Sequence, residues 1–429
     1  MKKLMSALDS VDVTYLDIRV LVEPQGIDSV KGRAFLCLEV LSCKPELPEE
    51  EHERLLTLSS MANTNLANAK AAENDEFYTQ YADIQKEINA YLDYDPHVFR
   101  GKTVLLPCDD PEWSNFTKFF AQNFELLGLK KLISTSYAPE SKKYKVPTQL
   151  TLFETESPKF DAAKTQTHGK IFVLDRDITG DNRINIEDLQ WEYLEGDGDF
   201  RSKEIRKLRD EADIIVTNPP FSLFREFMAW LMEAEKHFII IGNMNAAMYK
   251  EVFPLIKENK IWLGNGFQSG NAYFRIDVVR NEYADGVYDE TTGLVKFRNC
   301  CWYANIDHGR RHQPLRLMTM ADNLKHSKHK EIRGRKEYEP YVNFEGIEVP
   351  YTDAIPCDYE GAMGVPISFL DKYCPEQFEI IGIGLELANM EIIKEKLGKL
   401  NGGPRLYVER DGELVRLYER ILIRKKQPQ

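Results

Sequence analysis

From Gly101 onward the chain repeats one pattern, a short apolar run that stops at polar residues followed by a longer amphipathic stretch. The runs are Thr103–Leu106, Leu132–Ile133, Ile171–Leu174, Ile214–Thr217 and Phe238–Ile241. Continuous apolar runs suit strands buried on both faces, and amphipathic stretches suit the helices that cover them. The pattern predicts an α/β fold, a mostly parallel sheet with helices on both faces. Ligands bind such sheets where the strands end, so the residues just past each run are the ones to examine.

The run Ile214-Ile215-Val216-Thr217 leads directly into Asn218-Pro219-Pro220-Phe221. Two prolines cannot continue a strand ladder, so the chain must turn and leave Asn218 at the sheet edge. An aromatic amine has its nitrogen lone pair delocalised into the ring, and a catalyst must make that pair available. The Asn218 side-chain oxygen and the Pro219 carbonyl would each accept an amino hydrogen and favour the charge that develops on nitrogen. Phe221 would stack on the ring. A base inside a duplex reaches such a pocket only by flipping out. The tripeptide alone also reads as a plain turn; the buried strand before it and the aromatic after it favour a catalytic loop.

This sequence resembles the EcoRI-type adenine-specific DNA methyltransferases from Asp75 to about Ile383. The resemblance is carried by Asp75-Glu76-Phe77-Tyr78-Thr79-Gln80, Cys108-Asp109-Asp110-Pro111, Gly196-Asp197-Gly198-Asp199-Phe200-Arg201-Ser202, the run Asn218 to Arg225, Lys260 to Gly264 and Met363 to Pro366. It implies an S-adenosylmethionine-dependent methyltransferase fold, with cofactor elements before the Asn-Pro-Pro-Phe loop and a target-recognition region after it. It assigns Phe77, Tyr78 and Thr79 to a segment closing over the methionine end of the cofactor. Cys108, Asp109, Asp110 and Pro111, expected in the loop after the first strand and ahead of a helix starting near Ser114 or Asn115, are expected to bind the cofactor, as is Asn218. Ser114 stands where the wider class has glycine, which weakens the expectation of close backbone approach to the methionine moiety. Asp199 and Phe200 resemble the pair that holds the cofactor adenine, carboxylate to amino group and ring to face. After the second strand, Leu132 to Tyr137 offers no acidic residue for the ribose.

Four regions are expected: an extension over residues 1–60, a cofactor-binding and catalytic domain over 61–265, a target-recognition region over 266–350, and a C-terminal segment over 351–429 that packs back on the catalytic domain. Two β-branched stretches between Val11 and Leu41 read as a hairpin-like pair, Glu49 to Lys70 reads as a helix, and Phe378–Ile383 reads as a strand. The net charge of −13 opposes a nucleic-acid partner at first sight. Distribution reverses this: from His308 to Lys336 the basic residues are Arg310, Arg311, Arg316, Lys325, Lys328, Lys330, Arg333, Arg335 and Lys336, against Asp322 and Glu331. That stretch is the expected phosphate-binding face for double-stranded DNA.

Seven cysteines without framework spacing argue for reduced thiols and the cytoplasm. Neither a secretory leader nor a membrane-length apolar run is present. Cys300 and Cys301 with His308 and His312 lack zinc-ligand spacing, so no metal is expected. The expected protein is a monomer, with a separate cognate restriction endonuclease as a possible companion. The competing readings are methylation of RNA adenine or of protein glutamine, and a catalytically silent DNA-binding protein on the same scaffold.

Overall fold

The structure, a computed structural model, describes residues 17–21, 37–41, 79–109, 114–138, 161–267, 271–275, 288–289, 291–398 and 403–427. The chain separates into Met1–Glu73 and Asn74–Gln429. In the first unit β1 (Asp17–Leu21) and β2 (Cys37–Leu41) pair antiparallel, the hairpin-like arrangement expected of these stretches. The helix expected over Glu49 to Lys70 lies outside the described residues.

In the second unit every apolar run of the repeating pattern is a strand. These are β3 (Thr103–Leu106), β4 (Lys131–Thr135), β5 (Lys170–Leu174), β7 (Ile214–Thr217) and β8 (His237–Asn243). With β6 (Gln190–Tyr193), β9 (Trp262–Leu263) and β13 (Cys300–Ala304) they form an eight-stranded sheet of order β6-β5-β4-β3-β7-β8-β13-β9. The central four, β4, β3, β7 and β8, run parallel. Both β3 and β7 are buried along their whole length, as continuous apolar runs require.

The sheet departs from the expected parallel pattern at both flanks. Strand β5 is antiparallel to β4, and β6 is antiparallel to β5. The side chains of β5 alternate buried and half-buried, the environment of a sheet region with one open face, which antiparallel pairing tolerates. The reversal has a topological effect. Lys170 pairs with Tyr193 and Thr135 with Ile171, so the chain leaves β6 at the same edge as the carboxyl ends of β3, β4 and β7. At the other flank, β13 inserts antiparallel between β8 and β9. The region expected for target recognition, 266–350, thus contains a fully buried strand of the main sheet. Its Cys-Cys-Trp-Tyr-Ala sequence hides this, because it is short and lies between polar segments.

Between β9 and β13 the chain forms a separate three-stranded sheet from β10 (Asn271–Arg275), β11 (Tyr288–Asp289) and β12 (Leu294–Arg298). The C-terminal part builds a four-stranded sheet from β14 (Ile347–Glu348), β15 (Met363–Val365), β16 (Phe378–Ile383) and β19 (Ile421–Lys425), beside a hairpin of β17 (Tyr407–Arg410) and β18 (Glu413–Arg416). One apolar cluster runs from Phe227, Leu231, Phe238 and Ile240 to Met363, Phe369, Phe378 and Ile423. Each such side chain contributes about 1.5–3 kcal/mol of burial, so the two sheets are held as one body.

Candidate active site

The carboxyl ends of β3, β4 and β7 converge, and polar side chains stitch them together. Asp109 follows β3, is 2% exposed, and accepts from Ser114 Oγ at 3.0 Å and from Thr217 Oγ1 at 2.6 Å. Ser114 also caps α2 (Asn115–Gln122) through Phe116 N, as its position before an apolar helix suggests. From β4, Ser134 donates to the Asp109 carbonyl at 3.0 Å and Thr135 to the Pro107 carbonyl at 3.2 Å. Ser136 accepts from Lys170 N. The hydroxyls of the strand that lacks a ribose carboxylate therefore satisfy buried backbone groups of the neighbouring turn.

Asn218 follows Thr217 and is half-buried. Its Oδ1 is buried without a hydrogen-bond partner among the described residues. A carboxamide oxygen left in that state costs about 1–3 kcal/mol unless a ligand supplies a donor. Pro219 is buried. The Pro220 carbonyl accepts from Leu223 N and begins the single turn Phe221–Leu223. Phe221 is 37% exposed at the rim. The adjoining loop after β8 is tied to this one by Arg225, which lies over the Tyr249 ring at 4.2 Å and pairs with Glu251.

Of the residues assigned to the methionine-end segment, Thr79 is described; Phe77 and Tyr78 lie outside the described residues. The Thr79 carbonyl accepts from Asn115 Nδ2 at 2.9 Å, which places it beside the start of α2 at the ligand edge. Its Oγ1 is buried with no partner among the described residues. Cys108 is half-buried next to Asp109 and Asp199, and burial pushes its thiol far above the usual range, so it is a neutral wall and not a nucleophile. Asp110 and Pro111 lie outside the described residues.

The structure places the two residues of the expected adenine pair differently. Phe200 is 4% exposed, its ring edge-on to Phe227 at 5.0 Å and to Trp230 at 5.8 Å, both on α3 (Phe224–Glu233). It is a core residue, placed there because an all-carbon ring between two aromatics gains more from burial than from a rim position. Asp199 is forked by Arg201 Nε and Nη2 at 2.9 and 2.7 Å, and that guanidinium holds its carboxyl below the usual range. Gly198 has φ +82° and abuts the Ser136 carbonyl so closely that any Cβ would collide. This glycine, with the Ala138 N to Asp197 O bond of 2.7 Å, docks the loop after β6 against the end of β4.

The basic stretch is also partly corrected. Arg311 is 6% exposed, lies over the Trp262 ring at 3.8 Å, and bonds Asp307 at 2.9 Å and Asn259. Arg310 bonds the Asn265 carbonyl and pairs with Asp371. Both are internal staples, since the chain leaving β13 must fold back past the amino end of β8, where Asn305 bonds Phe238 N and the Lys236 carbonyl. Lys328 pairs with Asp353, and Arg335 with Glu339. Arg316, Lys325, Lys330, Arg333 and Lys336 are exposed and carry no ion pair among the described residues.

One group that local sequence did not single out is Glu87 on α1 (Tyr81–Leu92). Fully buried, it accepts from Asn265 N and Gly266 N, each at 2.9 Å, and from Tyr91 Oη. It fixes the point where the chain leaves β9 for the three-stranded sheet. Burial pushes its carboxyl up to about 7.

A sheet of this order, with a partnerless amide oxygen in an Asn-Pro-Pro-Phe loop at its ligand edge, is the architecture of a methyltransferase. The sequence matches the family described as adenine-specific methyltransferase EcoRI over residues 65–426. The chain belongs to that family. It is 40% identical over 321 residues to the type II methyltransferase M.EcoRI of Escherichia coli, covering 74% of this chain and 89% of that protein. It is 32% identical over 317 residues to the type II methyltransferase M.MpnI of Mycoplasma pneumoniae, covering 73% and 83%. It is 30% identical over 371 residues to M.MgeORF184P of Mycoplasma genitalium, covering 84% and 98%. No solved structure matches. Within this family the protein is an adenine-specific DNA methyltransferase with S-adenosylmethionine as methyl donor. One group at the carboxyl ends of the strands fits a bound cofactor: the Thr79 hydroxyl is buried with no partner among the described residues. Among the described residues no helix is long and apolar enough to cross a membrane.

Proposed function

We propose that Asn218 Oδ1 and the Pro219 carbonyl accept the two hydrogens of the adenine 6-amino group while Phe221 stacks on the flipped base. The partnerless Asn218 Oδ1 carries this reading. S-adenosylmethionine, when bound, supplies an electrophilic methyl group. The protein holds the amine so that its lone pair points away from the ring, and its acceptors favour the charge that grows on nitrogen during transfer. Neither Asp109 nor Cys108 is arranged as a base, the one bonded through both oxygens to hydroxyls and the other a neutral thiol. The methylated amino group is a strong acid, and its proton passes to water. Thr79, Cys108 and Asp199 line the cofactor space in this reading, and Arg316, Lys325, Lys330, Arg333 and Lys336 meet DNA phosphates.

The type II relatives support a modification role beside a separate restriction endonuclease. The free thiols of Cys108, Cys300, Cys301, Cys357 and Cys374 support the cytoplasm. One chain supplies both cofactor edge and catalytic loop, which supports a monomer. The deciding experiment is Asn218→Ala. Turnover on unmethylated duplex DNA is expected to fall by about 100- to 1,000-fold with S-adenosylmethionine affinity little changed, because the bond matters only in the transition state. Near-normal turnover sinks the mechanism.

A further inference from the structure

We propose that Asp109 is a positioning residue for the catalytic loop, acting on Asn218 through the Thr217 hydroxyl. The inference rests on the role given to Asn218 above.

The β3–β7 ladder pairs Val104 with Ile214 and Leu105 with Ile215. Beyond Leu105 it stops, and Pro107 has no N–H with which to extend it. The last residues of β7, Val216 and Thr217, lie beyond that register and immediately before Asn218. Asp109 takes over there: its Oδ2 accepts from Thr217 Oγ1 at 2.6 Å, within the range of a charge-assisted O–H···O⁻ bond. The other oxygen holds Ser114, the cap of α2, at 3.0 Å, and Ser134 of β4 grips the Asp109 carbonyl at 3.0 Å. The aspartate is the node where three elements meet.

Stability alone does not account for a carboxylate at this place. Taking a carboxylate out of water is costly, and Asp109 is 2% exposed. What a charged node gives that apolar packing does not is direction. Each hydroxyl must point at its oxygen, so the rotamer of Thr217, and with it the peptide entering Asn218, is set. Asp109 itself belongs, with Cys108, Asp110 and Pro111, to the segment expected at the cofactor. One side chain therefore fixes the cofactor turn and the amine acceptor relative to each other, and a misplacement of about 1 Å between reacting groups costs on the order of 100-fold in rate.

The test uses the full chain, with single-turnover transfer of labelled methyl into unmethylated bacterial genomic DNA at saturating S-adenosylmethionine, and cofactor affinity by calorimetry. Asp109→Asn and Thr217→Val are each expected to slow transfer by about 10- to 100-fold while cofactor affinity stays within about threefold. Thr217→Ser, which keeps the hydroxyl, is expected to run at the parent rate. The double variant Asp109→Asn, Thr217→Val is expected to be no slower than its slower parent, since both act on the Thr217–Asp109 bond. Thr217→Val deletes one hydroxyl at constant volume, so it decides the matter if Asp109→Asn does not fold. A matching loss of cofactor affinity would make Asp109 a direct cofactor ligand, and additive losses or parent-like rates would show no coupling. Asn218→Ala separates the two levels: normal turnover there removes the reading beneath, whereas an inactive Asn218→Ala beside parent-like Asp109 and Thr217 variants removes the interlock alone.

Discussion

The loop that ends β7 and the basic stretch that follows β13 are opposites in how they treat polar groups. At the loop, hydroxyls and a carboxylate are paired with one another, and the Asn218 amide oxygen has no partner among the described residues. In the basic stretch the cations nearest the sheet are consumed: Arg311 by Trp262, Asp307 and Asn259, and Arg310 by Asp371. A count of charges along the chain therefore overstates what can reach a ligand.

The contrast is most open to challenge at Phe200. If it is core, as its position between Phe227 and Trp230 requires, Phe200→Ala lowers unfolding stability by about 3–5 kcal/mol and leaves cofactor affinity of the folded enzyme near normal. Denaturant titration and calorimetry read the two separately, and a stable variant that no longer binds S-adenosylmethionine would restore the ring to the cofactor. Next comes Arg311→Ala, expected to cost about 2 kcal/mol because the Trp262 ring and the two hydrogen-bond acceptors are left without their cation. The salt dependence of its DNA binding should stay that of the parent. A flatter salt slope at unchanged stability would return Arg311 to the DNA face.

Phe221 tests the other side of the contrast. Exposed at the rim, it contributes little to folding, and Phe221→Ala is expected to weaken capture of the flipped adenine by about 1–3 kcal/mol. Phe221→Tyr should remain active, and equal damage from both would argue against stacking. The smallest effect per residue lies in the exposed cations. Replacing Lys330, Arg333 and Lys336 by alanine should reduce the log–log salt slope by about 0.9 for each phosphate that is no longer neutralised. Specific and random duplexes should weaken alike; weakening confined to one sequence would mean that Arg333 reads a base edge.

Much of this was legible in local sequence. The apolar runs of β3 and β7 were legible because continuous burial leaves a continuous apolar record, and Asn218 stood out because two prolines force a turn at a known edge. Ser114 was recognisable as a cap from its place before an apolar helix. The reversal of β5 was not legible, since a strand's direction depends on what it pairs with and not on its own residues. Nor was the Asp109 node, whose partner Thr217 lies 108 positions away. The surroundings of Asp199 and Phe200 were hidden for the same reason: the motif names the residues, while Arg201, Phe227 and Trp230 decide which way they face.

The antiparallel pairing of β9 with β13 has a further consequence. Leu263 opposes Tyr303, Gly264 N bonds the Trp302 carbonyl, and Phe267 stacks on Trp302. Topologically, everything between is an enlarged hairpin connection whose two ends are already side by side. Closing such a loop becomes dearer only logarithmically, by roughly 0.6 kcal/mol for each doubling of its length. The main sheet is thus nearly indifferent to how long the insertion grows or what it contains. An enzyme built this way can change its outgrowth wholesale without renegotiating the fold that carries it.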